Sequence, residues 1–395
     1  MPPSPSRRAL LAALASAPGA LLAQGVPAPS DEALRLAGSC VLAGFHGPRL
    51  PQSFRELLAR GALSGVIVSA DNRLDRPGLE ALSRTVQDQL PQGSPPALVA
   101  ADQEGGPVSH LTPPLPSLPS LVALGRVDDL ELTRRVGAML GHTLREVGVT
   151  LDLAPVVDVR TSTDNMVLLG RTFGGDAALV ARHAPAMVEG LLAAGVLACA
   201  KHFPGHGDTR EDSHEVLPRV PHDRARLDAV ELVPFRSVLS TVPAVMLAHV
   251  IYEGVDRQRP ASLSPAHARA LLREHLGFRG VAVSDDLEMA PIRTGLGVPS
   301  AAVQALVAGC DLVLTAHTPH HAVDAIQALA LRADRDPAFR ERLREASGRV
   351  GAMRSTLLQR VPPNPYREPP EALLREVASR VRGLRERHYR DPTRR

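Results

Sequence analysis

A chain of 395 residues, 44% apolar and 22% charged, has the composition of a folded globular protein and the length of one large α/β barrel or two ordinary domains. Aromatic residues make up only 3% and tryptophan is absent, which argues against long polysaccharide grooves and single-stranded nucleic-acid platforms, since both rely on stacked rings. A net charge of only +3, with acids and bases interspersed, gives no nucleic-acid footprint, so a pocket for a small or chain-end ligand fits best.

Residues 1–24 read as an address label. Ser6-Arg7-Arg8 precedes an apolar run, 9–23, that is broken by Pro18 and Gly19 and is too short to span a bilayer as a helix. This is the pattern of a signal peptide with a twin-arginine flavour. It predicts a periplasmic or secreted protein with no stable membrane span. The alternative is an Ala-rich disordered leader on a cytoplasmic protein.

From residue 35 onward short β-branched runs alternate with longer amphipathic ones. Strands are predicted at 38–45, 65–69, 97–101, 151–156, 196–200, 244–248, 280–284 and 311–315. Their near-continuous apolar character suits parallel strands covered on both faces. Between them, the stretches 129–147, 177–194 and 265–276 repeat apolar residues three and four apart, the period of an amphipathic helix. Eight strands interleaved with helices predict an α/β fold, a (β/α)8 TIM-type barrel over 25–335, with a doubly wound open sheet as the alternative. Residues 336–395 hold helical patterns, a Pro-rich break and an arginine-rich end, which predicts a helical extension with a basic tail. Cys40, Cys199 and Cys310 sit in apolar runs, so buried free thiols are expected.

In such a barrel the site is built at the C-terminal ends of the strands. Polar residues follow the predicted strands in turn: Asp102 to Gly106, Asp158 with Asn165 and Arg171, Lys201-His202, His249, Asp285-Asp286 and His317. The densest stretch is 201–214, KHFPGHGDTREDSH, and Lys201 is the only lysine in a chain whose other basic residues are all arginine. Asp285 is either a carboxylate nucleophile or a helix N-cap with Glu288 closing a capping box. His214, two residues after Asp212, is either an acid/base oriented by that carboxylate or part of a polar surface loop. His202, His206, His214, Asp208 and Asp212 are all competent metal ligands, but H-x3-H-x7-H matches no common zinc spacing.

Together these segments resemble a known family. K-H-F-P-G-H-G-D-T-x-x-D-S-H (201–214) resembles the signature of bacterial β-N-acetylhexosaminidases of glycoside hydrolase family 3. The similarity runs through D-Q-E-G-G (102–106), L-A-P-V-V-D-V (153–159), G-R-T-F-G (170–174), M-L-A-H-V (246–250) and G-F-R-G-V-A-V-S-D-D-L-E-M (277–289). The resemblance implies retaining hydrolysis of a terminal, non-reducing β-linked N-acetylglucosamine. Peptidoglycan fragments are the usual substrate class, and no metal or cofactor takes part. Carried over by position, Asp285 is the nucleophile, His214 the acid/base and Asp212 its partner. Asp102, Arg171, Lys201 and His202 match residues that bind sugar hydroxyls.

One departure stands out. The family's D-x-E-G-G-R-V-x-R reads D-Q-E-G-G-P-V-S-H here, so Pro107 and His110 replace two arginines. His110 is expected to take over part of the second arginine's hold on the sugar. A β-glucosidase-type exo-glycosidase, a glycoside phosphorylase and a catalytically weak sugar-binding relative are the alternatives, and the sequence does not address the oligomeric state.

Overall fold

A computed structural model describes residues 28–359 and 369–390, the last six by backbone alone. The leader expected over 1–24 and the final residues of the basic tail lie outside the described residues. Eight strands close into a parallel barrel: β1 Val41–Gly44, β2 Gly65–Ile67, β3 Leu98–Ala101, β4 Leu151–Asp152, β5 Leu197–Phe203, β6 Ala244–Leu247, β7 Val281–Asp286 and β8 Leu312–Thr315. Each pairs with its neighbour in chain order, and β8 returns to β1 with Val313 opposite Val41. The predicted barrel is therefore the observed fold, and the open sheet is not.

Alternate residues explain why the strands read as unbroken apolar runs. Leu42, Leu98, Leu151, Leu197, Met246, Val283 and Leu312 fill the barrel, while Val41, Val99, Ala198, Val245 and Val313 face the surrounding helices. Two strands differ from expectation. β4 is shorter than its predicted run, because Pro155 has no N–H for the ladder; the chain continues through single bonds from Leu153 N to Ala101 O and from Val157 N to Lys201 O. β5 runs on to Phe203, which places Lys201 and His202 inside the strand.

The predicted helices are observed at Leu130–Glu146, Ala177–Ala193 and Ala266–His275. Two more form the C-terminal extension: α1 Pro337–Ser355 and α2 Pro370–Arg390. α1 closes the N-terminal end of the barrel, where Val350 and Met353 join the interior packing. Beside them the buried Asp311 receives Arg273, Arg342 and Arg349. α2 docks through Leu373 and Val377 and through Glu376, which pairs with Arg135 at 2.9 Å. All three cysteines are free and buried. Among the described residues no helix is long and apolar enough to cross a membrane.

Candidate active site

The C-terminal ends of the strands surround a cavity of ≈ 610 Å³, a volume typical of small-ligand sites. Ile67, Met246 and Leu314, the top of the barrel packing, give it an apolar floor. Asp102, His110, Arg171, Lys201, His202, His214 and Asp285 all line it, and Asp212 stands behind His214.

One wall is an ion-pair cluster. Asp102 follows β3, and the chain turns at once into a short hairpin, Gln103–Gly105 against Val108–Ser109. The turn requires glycine, since Gly106 has φ +63° and a Cβ there would lie 2.5 Å from that of Ser120. The hairpin carries the Glu104 side chain into complete burial. Arg171 grips it at two points, Nε to Oε2 at 2.9 Å and Nη2 to Oε1 at 2.8 Å. Lys201 Nζ lies 2.8 Å from Glu104 Oε1 and 2.5 Å from Asp102 Oδ1.

Burial alone would raise the Glu104 carboxyl, but Lys201 and Arg171 outweigh it and hold the pKa down at about 2. Burial works against the Lys201 charge too, yet Asp102 and Glu104 keep its pKa above the ordinary lysine value. The geometry accounts for the solitary lysine. Arg171 already holds the bidentate position, and a compact ammonium bridges two separate carboxylates where a second planar fork does not.

A second carboxylate organises the opening of the 201–214 loop. His202 Nδ1 lies 2.8 Å from Asp158 Oδ2, which places the proton on Nδ1 and leaves Nε2 as the other hydrogen-bonding atom. The same buried carboxylate accepts the His202 N–H at 3.2 Å and the His206 N–H at 2.7 Å. Burial opposes its charge, but the His202 and His206 rings and these bonds keep its pKa below the usual range. Gly207 lets the loop press on the segment after β4, where a Cβ would sit 1.7 Å from Val159 O.

His206 is wholly internal. Its Nε2 meets Ser213 Oγ at 3.0 Å and its Nδ1 meets Thr209 Oγ1 at 2.8 Å. Burial and the neighbouring His202 push its pKa down to about 4, so the ring is neutral. The three histidines of the loop thus answer to separate partners, Asp158, Ser213 and Asp212. Among the described residues no three His, Cys, Asp or Glu side chains gather as metal ligands.

β7 ends in two adjacent aspartates with different duties. Asp286 serves the backbone: its Oδ1 accepts the N–H groups of Glu288 and Ala316, each at 3.0 Å. Asp285 accepts the Asp286 N–H at 2.9 Å and turns its carboxylate to the cavity. Burial disfavours its charge, but His249, His202, the Asp286 N–H and Lys201 outweigh that, so its pKa lies below the ordinary value. Buried His249 donates from Nε2 to Asp286 O at 3.0 Å, which leaves Nδ1 to accept from Ser262 at 2.6 Å. The capping box of Asp285 with Glu288 is not formed. Glu288 instead accepts the N–H groups of His317 at 2.7 Å and Thr318 at 3.0 Å, ahead of the helix Pro319–Arg335.

His214 completes the site. Its Nδ1 lies 2.7 Å from Asp212 Oδ1, which also accepts its backbone N–H at 2.9 Å. The carboxylate holds the proton on Nδ1 and frees Nε2 for exchange. The side chains are 63% and 43% exposed, unlike those of the buried His202, His206 and His249, so solvent protons reach this imidazole. Spacing does not reveal the duties of Glu104, Asp158 and Asp286. Their one signal is charge balance: a buried lysine and arginine at a barrel mouth require a buried acid, and Glu104 stands two residues from Asp102.

A parallel barrel whose mouth sets an ionised aspartate and a carboxylate-backed histidine around one cavity is an enzyme architecture suited to nucleophilic and acid/base chemistry. The family model described as the glycosyl hydrolase family 3 N terminal domain matches residues 34–351, and the chain belongs to that family of glycoside hydrolases. A beta-hexosaminidase of Stenotrophomonas maltophilia strain K279a is 35% identical over 300 residues, covering 74% of this chain and 88% of that protein. The glycoside hydrolase family 3 beta-N-acetylglucosaminidase from Paenibacillus sp. str. FPU-7 superposes with a TM-score of 0.83 at 35% identity, over 88% of this chain and 68% of that one. The beta-N-acetylhexosaminidase of Beutenbergia cavernae DSM 12333 gives 0.76 at 28% identity, over 82% and 98%.

Proposed function

We propose that the protein is a retaining exo-β-N-acetylglucosaminidase that removes a terminal, non-reducing β-linked N-acetylhexosamine from small glycans. Peptidoglycan fragments are the proposed source, and the periplasm or cell exterior the proposed place of work. One observation carries the reading: Asp285, ionised and accepting one neighbouring N–H where Asp286 ties two more distant segments, lines the same cavity as the His214 imidazole. The names of the relatives, β-hexosaminidases and β-N-acetylglucosaminidases, support the choice of sugar. The signal-like residues 1–24 support the location.

In the first half-reaction an Asp285 oxygen attacks the anomeric carbon while His214 gives its Nε2 proton to the glycosidic oxygen. The carbon–oxygen bond to the aglycone breaks and a covalent glycosyl-enzyme forms. Asp212, bonded to Nδ1, keeps the ring oriented with Nε2 toward the glycosidic oxygen. In the second half-reaction neutral His214 takes a proton from water as the water oxygen attacks the same carbon, and Asp285 leaves as a carboxylate. Two inversions give net retention. Asp102, Lys201 and His202 meet sugar hydroxyls, Arg171 fixes the cluster through Glu104, and His110 borders the mouth.

Proton NMR of the first product from an aryl β-N-acetylglucosaminide tests this directly. The β-anomer of N-acetylglucosamine is expected, with slower turnover of the corresponding glucoside. The α-anomer as first product, or a preference for the glucoside, contradicts the reading.

A further inference from the structure

The acid/base pair rides on a stretch with few ties to the barrel. Within 210–217, Glu215 N and Val216 N bond to Asp212 O, and Asp212 and His214 bond to each other. Leu217 reaches the hydrophobic core at one end. Among the described residues, the one hydrogen bond from 210–217 to the rest of the chain joins Ser213 Oγ to His206 Nε2 at 3.0 Å. Ser213 is buried, whereas the side chains on either side of it, Asp212 and His214, stand out to solvent. The pair therefore moves as one body, and Ser213 is what joins that body to the fold.

His206, at the other end of that bond, is pinned from several directions. Its N–H donates to Asp158 at 2.7 Å and its C=O accepts from Asn165 Nδ2 at 2.9 Å. Tyr252 Oη donates to the preceding carbonyl, Gly205 O, at 2.8 Å. Two residues further on, Asp208 lies 2.8 Å from Thr161 Oγ1 and 3.0 Å from His222 Nε2. Thr209 occupies the other ring nitrogen at 2.8 Å. The His206 ring centroid is 5.6 Å from that of His202, and the Asp158 carboxylate places both residues. A hydroxyl either donates to or accepts from an imidazole nitrogen, so the Ser213 contact forms with either tautomer of the neutral ring.

Resting on the glycosidase reading above, we infer that His206 and Ser213 are positioning residues for proton transfer: their bond sets where the His214 imidazole stands over the cavity. They act through His214 rather than on the sugar. Ser213 immediately precedes His214, so releasing it frees the donor's own backbone. A displacement of about 1 Å at a reacting group costs about 10²-fold in rate, which gives one neutral hydrogen bond a large kinetic effect.

The test compares kcat/KM for phenyl and dinitrophenyl β-N-acetylglucosaminides, because only the phenyl leaving group needs a proton to depart. Two variants break the contact from opposite ends. Ser213→Ala removes the hydroxyl, and His206→Asn keeps a polar atom for Thr209 while withdrawing the nitrogen that reaches Ser213. Each is expected to lower kcat/KM by about tenfold on the phenyl glycoside and by less than about twofold on the dinitrophenyl glycoside. The double variant is expected to lose about as much as either single one, since all three lack the same bond. Ser213→Ala leaves every other bond of the loop in place and decides alone if His206→Asn does not fold. Equal losses on the two glycosides, no loss in Ser213→Ala, or a double variant whose losses multiply overturns the inference. Wild-type protein that turns over neither glycoside would overturn the proposed function and this inference with it, so the two failures are distinct.

Discussion

Asp285 and Asp286 are identical in chemistry and adjacent in sequence, and only their hydrogen bonds tell them apart. Asp285→Asn is expected to lower kcat by about 10³-fold or more with little change in thermal stability. Asp286→Asn is expected instead to lower the melting temperature, because the carboxylate that ties Glu288 and Ala316 together is replaced by a weaker acceptor. Steady-state kinetics and thermal unfolding of the two variants, side by side, check the assignment. His214→Ala is expected to lose about 10²- to 10⁴-fold on substrates with poor leaving groups and far less on a dinitrophenyl glycoside, whose departure needs no proton. A uniform loss across leaving groups would contradict the acid role. That Asp285 and His214 meet at one cavity was legible in the sequence, because each follows a predicted barrel strand within its own motif. The duties of Glu104 were not, because its partner Arg171 lies 67 residues away and meets it only across the barrel mouth.

The strands were legible because both faces are buried, and the same fact hid their ends. Lys201 and His202 belong to β5 itself, and Pro155 cuts β4 short. The hairpin after β3, the segment after β4 and the end of β5 are tied together at the mouth by Glu104, Arg171 and Lys201, beside the bonds that Asp158 makes to β5 and its loop. Lys201→Met is therefore expected to cost about 3–5 kcal/mol in chemical denaturation, since it leaves Glu104 buried with half of its compensation gone. The cluster also sets an acid limit. The folded Glu104 pKa, about 2, lies below its unfolded value, so its stabilising share is fully present above the unfolded pKa and is lost as pH falls toward 2. Unfolding midpoints measured from about pH 6 downward should decline more steeply in wild type than in Glu104→Gln. Parallel declines would contradict it.

At the scale of the whole molecule, the C-terminal extension is part of the barrel's closure. Helix α1 supplies Val350 and Met353 to the barrel interior, while Arg342 and Arg349 complete the shell around Asp311. The sequence showed helical patterns in 336–395 but not their docking, because an arginine on a helix face does not announce a buried acid just ahead of a strand. Asp311→Ala is expected to destabilise the fold by about 3–5 kcal/mol, leaving three arginines without their shared partner, and to spare kcat at temperatures where the variant is folded. Unfolding and activity measured on one preparation separate the two effects. The central claim, a glycosyl-enzyme on Asp285, is also read on the whole chain. Reaction with a fluorinated N-acetylglucosamine analogue that slows the second step, followed by intact-mass and peptide mapping, is expected to show one added sugar, attached at Asp285. A label on any other residue, or turnover with no covalent adduct at all, would contradict it.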